Sequence, residues 1–71
     1  MWIVMRKCLL DPDVEVRDIG TGMIVNTAKV SIVGLKYYCP VFDSYDEAWS
    51  WEKEYDDAGE DNIKEVRERI L

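Results

Sequence analysis

The chain contains no histidine. Ser–His and Cys–His nucleophile pairs are thereby excluded. The commonest metal ligand and the usual near-neutral acid–base are lost with it. Cysteine is scarce too. Cys8 and Cys39 lie 31 positions apart and form no CxxC pair, so a zinc site lacks its ligands. They read as two reduced thiols on strands, buried as small apolar groups, with a disulfide as the other reading. No apolar run approaches the ~20 residues of a membrane span. The first one, Trp2–Met5, is cut at once by Arg6 and Lys7 and is too short for a signal-peptide core. A cytoplasmic protein that touches no membrane is expected. Gly20-Thr21-Gly22 lacks the spacing and the lysine of a phosphate loop. Basic residues are few and dispersed, nine Lys plus Arg against fifteen acids. At a net charge of −6 direct nucleic-acid binding is disfavoured.

What remains is a globular composition, 48% apolar and 34% charged. Seventy-one residues make one domain, 1–71. A chain this short buries only roughly 60% of its unfolded surface. A catalytic cleft of ordinary size would use up much of so small a core. The carboxylates cluster with one another rather than singly in an apolar pocket, where a glycosidase acid needs its raised pKa. Asp56-Asp57-x-x-Glu60-Asp61 lacks the alternating register of a calcium loop. No enzyme, cofactor or metal site is expected.

The charge is unevenly placed. Residues 1–42 carry Arg6, Lys7, Arg17, Lys29 and Lys36 against four acids, a net +1. Residues 43–71 carry four bases against eleven acids, a net −7. From Asp43 to Asp61 there are nine acids and one lysine.

The first part reads as β structure. The expected strands are Trp2–Leu10, Val14–Ile19, Met23–Val33 and Leu35–Phe42. Asp11-Pro12-Asp13 supplies a turn, Gly20-Thr21-Gly22 a tight hairpin, and Gly34 a third reversal. Ala28, Val30 and Ile32 alternate with Lys29 and Ser31 and so share one face. Pro40 has no N–H for a ladder, which predicts an edge strand or a bulge. Short links make an antiparallel meander the simplest topology.

The second part reads as helix. Ser44 is an N-cap, and Glu47 completes an S-x-x-E capping box. Asp46 and Glu47 sit at the positive end of the helix dipole. Ala48, Trp51, Tyr55 and Ala58 keep helical spacing up to Gly59 at C′. A second helix is expected from about Asp61, with Ile63, Val66 and Ile70 on one stripe and Arg67 and Arg69 near its end. The fold expected is therefore α+β: a four-stranded antiparallel β-sheet with two C-terminal helices packed on one face.

Two features point to a partner. Dense helical acids approach the spacing of DNA phosphates, since a helix rises ~1.5 Å per residue and DNA presents a charge every ~1.7 Å. Such a face attracts a basic groove and speeds encounter; the plainer reading is a solubilising surface. Aromatics are also in surplus: Tyr37, Tyr38, Tyr45, Trp49, Trp51 and Tyr55. Trp49 and Trp51, two apart, cannot face the same way on one helix, so at least one is partly exposed or lies on a flank, and an exposed Trp or Tyr beside acids would make an interface anchor. The candidate partner-binding residues are Asp43, Asp46, Glu47, Trp49, Glu54, Asp56, Asp57, Glu60 and Asp61.

Phe42-Asp43-Ser44, the helix that Ser44 caps and the later Ser50-Trp51 together resemble small phage anti-CRISPR proteins of the kind that bind the type I-F Cascade complex. The likeness runs from about Gly22 to the end: a long strand, a strand ending in Phe-Asp-Ser, an acidic helix, a glycine and a terminal helix with Ile63. A strand ending in Phe, a small cap, then Glu-Ala and Trp also resembles the arm-binding domains of phage integrases, which are basic where this chain is acidic. The first resemblance implies a stoichiometric inhibitor that occupies the nucleic-acid-handling surface of a CRISPR effector in the host cytoplasm. The alternative is an acidic interaction module or homodimer that associates through its edge strand or exposed aromatics.

Overall fold

The computed structural model describes residues 1–66. Its elements are β1 (Trp2–Val4), a 3-10 turn (Met5–Lys7), β2 (Thr27–Ile32), β3 (Leu35–Phe42), α1 (Tyr45–Glu52), a second 3-10 turn (Glu60–Asn62) and β4 (Ile63–Glu65). The four strands form one sheet in the order β2-β3-β1-β4, every neighbouring pair antiparallel.

The sheet is four-stranded and antiparallel, as expected, but it is not a meander and it carries one α-helix among the described residues. The stretch from Glu60 makes a 3-10 turn and then β4, not a second helix. The reason is long-range. Beyond β3, β1 presents a second row of backbone groups that only a strand can satisfy. Ile63, Lys64 and Glu65 fill it opposite Val4, Ile3 and Trp2. Ile63 is buried while Lys64 and Glu65 are exposed, a pattern too short to separate a strand from a helical stripe. Ile70, Arg67 and Arg69, also assigned to that helix, lie outside the described residues.

The N-terminal strands are shorter than expected. Trp2–Leu10 is a strand only to Val4, then a 3-10 turn, and touches β3 again at a Leu9–Tyr38 bridge. This excursion explains Pro40. Its strand is interior, so of the two arrangements that the missing N–H predicts, an edge or a bulge, the edge is not the one found. Tyr38 donates toward the β1 side, to Leu9 O at 2.6 Å, and Pro40, two residues on, faces the same way. The chain bulges away into the 3-10 turn between Val4 and Leu9, so no ladder bond is forfeited there. Val14–Ile19 is not a named strand; it contributes one bridge, Arg17 to Ile24. The turn between them forms as expected. Asp18 Oδ1 accepts from Gly20 N at 2.7 Å and Thr21 N at 3.2 Å, and Gly22 takes φ +74°.

Alternation along β1 divides the core. Ile3 joins Ala28, Val30, Cys39 and Val41 in one cluster. Val4 joins Val16, Ala48, Trp51 and Ile63 in the other, where α1 packs. Cys8 and Cys39 are joined in a disulfide, which corrects the reading of two reduced thiols. The 3-10 excursion brings Cys8 back beside β3, a juxtaposition that 31 intervening residues conceal.

Candidate functional site

The cap of α1 is the local feature most directly written in the sequence. Ser44 Oγ accepts from Glu47 N at 3.2 Å, and its hydroxyl lies 3.3 Å from Glu47 Oε1. Asp46 and Glu47 follow in the first turn, where the helix dipole favours carboxylates. The helix ends at Glu52, short of the Gly59 stop. Its last turn holds no base, and Glu54, Asp56 and Asp57 would add negative charge at the negative end of the dipole. Turns carry the chain instead, with Tyr55 N donating to Glu52 O and Ala58 N to Tyr55 O. The edge-to-face contact of Trp2 with Tyr45 at 5.2 Å and the tilted contact of Phe42 with Trp51 at 6.0 Å fix the helix on the sheet, and Tyr55 packs edge-on against Trp51 from the turn beyond.

This geometry splits the acidic candidates into two groups. Asp43, Asp46 and Glu47 are exposed at the start of α1 and border a groove of about 880 Å³. The opposite wall is the chain from Asp18 to Thr27. It adds a fourth carboxylate, Asp18, and two apolar side chains, Met23 and Ile24, 69% and 58% exposed. Phe42 and Trp51 line the groove as well. The indole N–H of Trp51 is buried with no acceptor among the described residues. Sequence reasoning missed Asp18, Met23 and Ile24, because only the 16–25 fold-back brings them to α1.

The second group, Glu54, Asp56, Asp57, Glu60 and Asp61, is exposed after the helix. It is not a uniform acidic face. Arg6 reaches it from the first 3-10 turn and pairs with Asp57 and with Glu52, whose carboxylate is fully buried. Asn62 Nδ2 donates to the other oxygen of Glu52 at 3.1 Å. The Arg6 guanidinium also lies 4.2 Å from the centre of the Tyr55 ring, within cation–π range. Desolvation opposes the Arg6 charge, but the hydrogen bond to Asp57 and the field of Glu52 outweigh it and raise its pKa. That same hydrogen bond holds the Asp57 carboxyl below its ordinary value. Burial raises the Tyr45 phenol, and Glu60, Asp46 and Asp61 push the same way. Burial likewise raises Tyr55, against the opposing pull of Arg6.

No protein family matches the chain, and no curated protein or solved structure matches it. Trp49, named as a candidate partner-binding residue, is half-buried and packs on the cluster beneath α1, on the flank of the buried Trp51. No group of three or more His, Cys, Asp or Glu among the described residues is placed to hold a metal ion. No helix among them is long and apolar enough to cross a membrane.

Proposed function

We propose that the protein is a non-enzymatic inhibitor that binds the basic surface of a nucleic-acid-handling protein, with a type I CRISPR effector, Cascade, as the target. It acts by occupying lysines and arginines that hold DNA or guide RNA, in the cytoplasm of the host. The observation that carries this reading is the groove: exposed Asp43, Asp46 and Glu47 and half-buried Asp18 around Met23, Ile24 and Phe42. Carboxylates alone attract any cation, whereas carboxylates around exposed apolar side chains add the desolvated contact that a specific protein interface needs. The acids after α1 extend the negative field, and Arg6 neutralises part of it.

The test is competition for target DNA by purified Cascade with the chain in excess. Loss of DNA binding is expected, weakening as salt rises. The Asp43→Lys, Asp46→Lys, Glu47→Lys triple variant should lose inhibition. Reversal of Asp56 and Asp61 should reduce it less. Unhindered DNA binding removes Cascade as the target. Equal losses for the two sets would assign the effect to net charge rather than to the groove.

A further inference from the structure

The tip of the β2–β3 hairpin has a backbone and a surface that folding does not call for. Val33 and Gly34 join Ile32 to Leu35, and both have positive φ, +51° and +79°. Two positive values are what a tight two-residue hairpin demands, and Asn-Gly is the sequence that meets them without strain. Val33 is β-branched, the poorest kind of residue for this region. It is also 97% exposed, and Leu35 beside it is 55% exposed. Strain at a site that packs against nothing adds no stability, so its use lies outside the monomer. The charge here is distinctive as well. Between Asp18 and Asp43 the chain has no carboxylate, only Lys29 and Lys36, and both lysines lie on the hairpin.

We propose that this hairpin tip binds the acidic groove of a second copy of the chain. Val33 and Leu35 meet the exposed Met23 and Ile24, and Lys36 meets the carboxylates at the start of α1. The inference uses the groove's geometry and not its proposed target. The contact has to be intermolecular. Thr27 lines the groove at one end of β2, and the six residues of that strand hold the tip about 20 Å away. Because groove and tip occupy opposite ends of one hairpin, two copies lying antiparallel exchange both contacts at once. That closes a dimer rather than an open chain. The pairing covers the largest exposed apolar side chains at both ends and sets two lysine-bearing hairpins against two carboxylate clusters, in a protein that otherwise repels its own copies.

Sedimentation equilibrium of the full chain up to millimolar concentration tests this. The mass should rise from 8.3 kDa toward twice that value. Two variants separate the ends: Val33→Asn with Leu35→Ser at the tip, and Asp46→Lys with Glu47→Lys at the groove. Each alone should weaken association at least tenfold. An equimolar mixture should associate better than either, since an intact tip then meets an intact groove. Asparagine suits the positive φ, so the tip variant folds at least as well as the parent, which its thermal midpoint verifies. A chain monomeric throughout, a tip variant that associates like the parent, or a mixture no better than its components would each overturn the proposal. None of these results depends on whether Cascade is the target.

Discussion

The two ends of the acidic segment carry charge of the same sign in different states. At the start of α1, Asp43, Asp46 and Glu47 are exposed along a groove, and their neighbours are amides, a hydroxyl and apolar side chains. After α1, Arg6 has come from the far end of the chain to pair with Asp57 and with the buried Glu52. The first group has no ion-pair partner among the described residues. The second spends part of its charge in holding the molecule together, because a buried carboxylate has to be paired. Net charge over a stretch of sequence thus measures neither interaction strength nor available surface.

The strongest way to break this contrast is to remove Arg6. Arg6→Met leaves Glu52 buried with only Asn62 as partner, and stranding a buried charge costs about 3–5 kcal/mol. The thermal midpoint should fall by ~10 °C or more. Glu52→Gln, which keeps the shape and the Asn62 contact, should cost less. If Arg6→Met leaves the midpoint unchanged, the pair is not structural and the two acidic groups are equivalent. Next in size is the disulfide that clamps the Arg6-bearing segment to β3. Closing a loop of 31 residues restricts the unfolded chain by roughly 3–4 kcal/mol. Cys8→Ser with Cys39→Ser should lower the denaturant midpoint accordingly, while the groove acids keep their exposure. A parent protein whose thiols titrate as free in a non-reducing buffer would remove the clamp.

Ser44→Ala acts on the other group. Losing an N-cap costs about 1 kcal/mol, here at the turn that presents Asp46 and Glu47. A drop in groove-dependent binding larger than the drop in stability would show that the cap positions these carboxylates.

These expectations differ in how far the sequence discloses them. The Ser44 cap, the Gly20–Gly22 turn and the Ala28, Val30 and Ile32 face are local, and local rules find them. The partners of Arg6, Cys8 and Ile63 are 31 to 59 positions distant. Nothing near Glu52 marks it as buried, since it sits in a run of acids that reads as solvated. Nothing near Ile63 says that β1 lacks a strand on its outer side, which is what overrides a helical stripe. The candidate site was legible as charge, not as a groove. Asp18 belongs to it only because the 16–25 segment folds back.

The smallest expected effect separates the two acidic groups by pH. Arg6 depresses the Asp57 pKa in the folded state, chiefly through their hydrogen bond. A depressed carboxyl stabilises the fold above its unfolded pKa, ~4 for Asp, and that contribution is lost as pH falls through the lower folded value. Parent and Asp57→Asn should therefore differ by a constant amount from neutral pH down to about 5 and converge below ~4. The side chain of Asp57 is 80% exposed, so solvent and salt screen the pair. The gap should be small and should narrow further in high salt. Acid unfolding curves of the two proteins at low and high ionic strength measure it. Curves that stay parallel through the acid range would mean that Arg6 serves Glu52 alone, leaving Asp57 as available to a partner as Asp46.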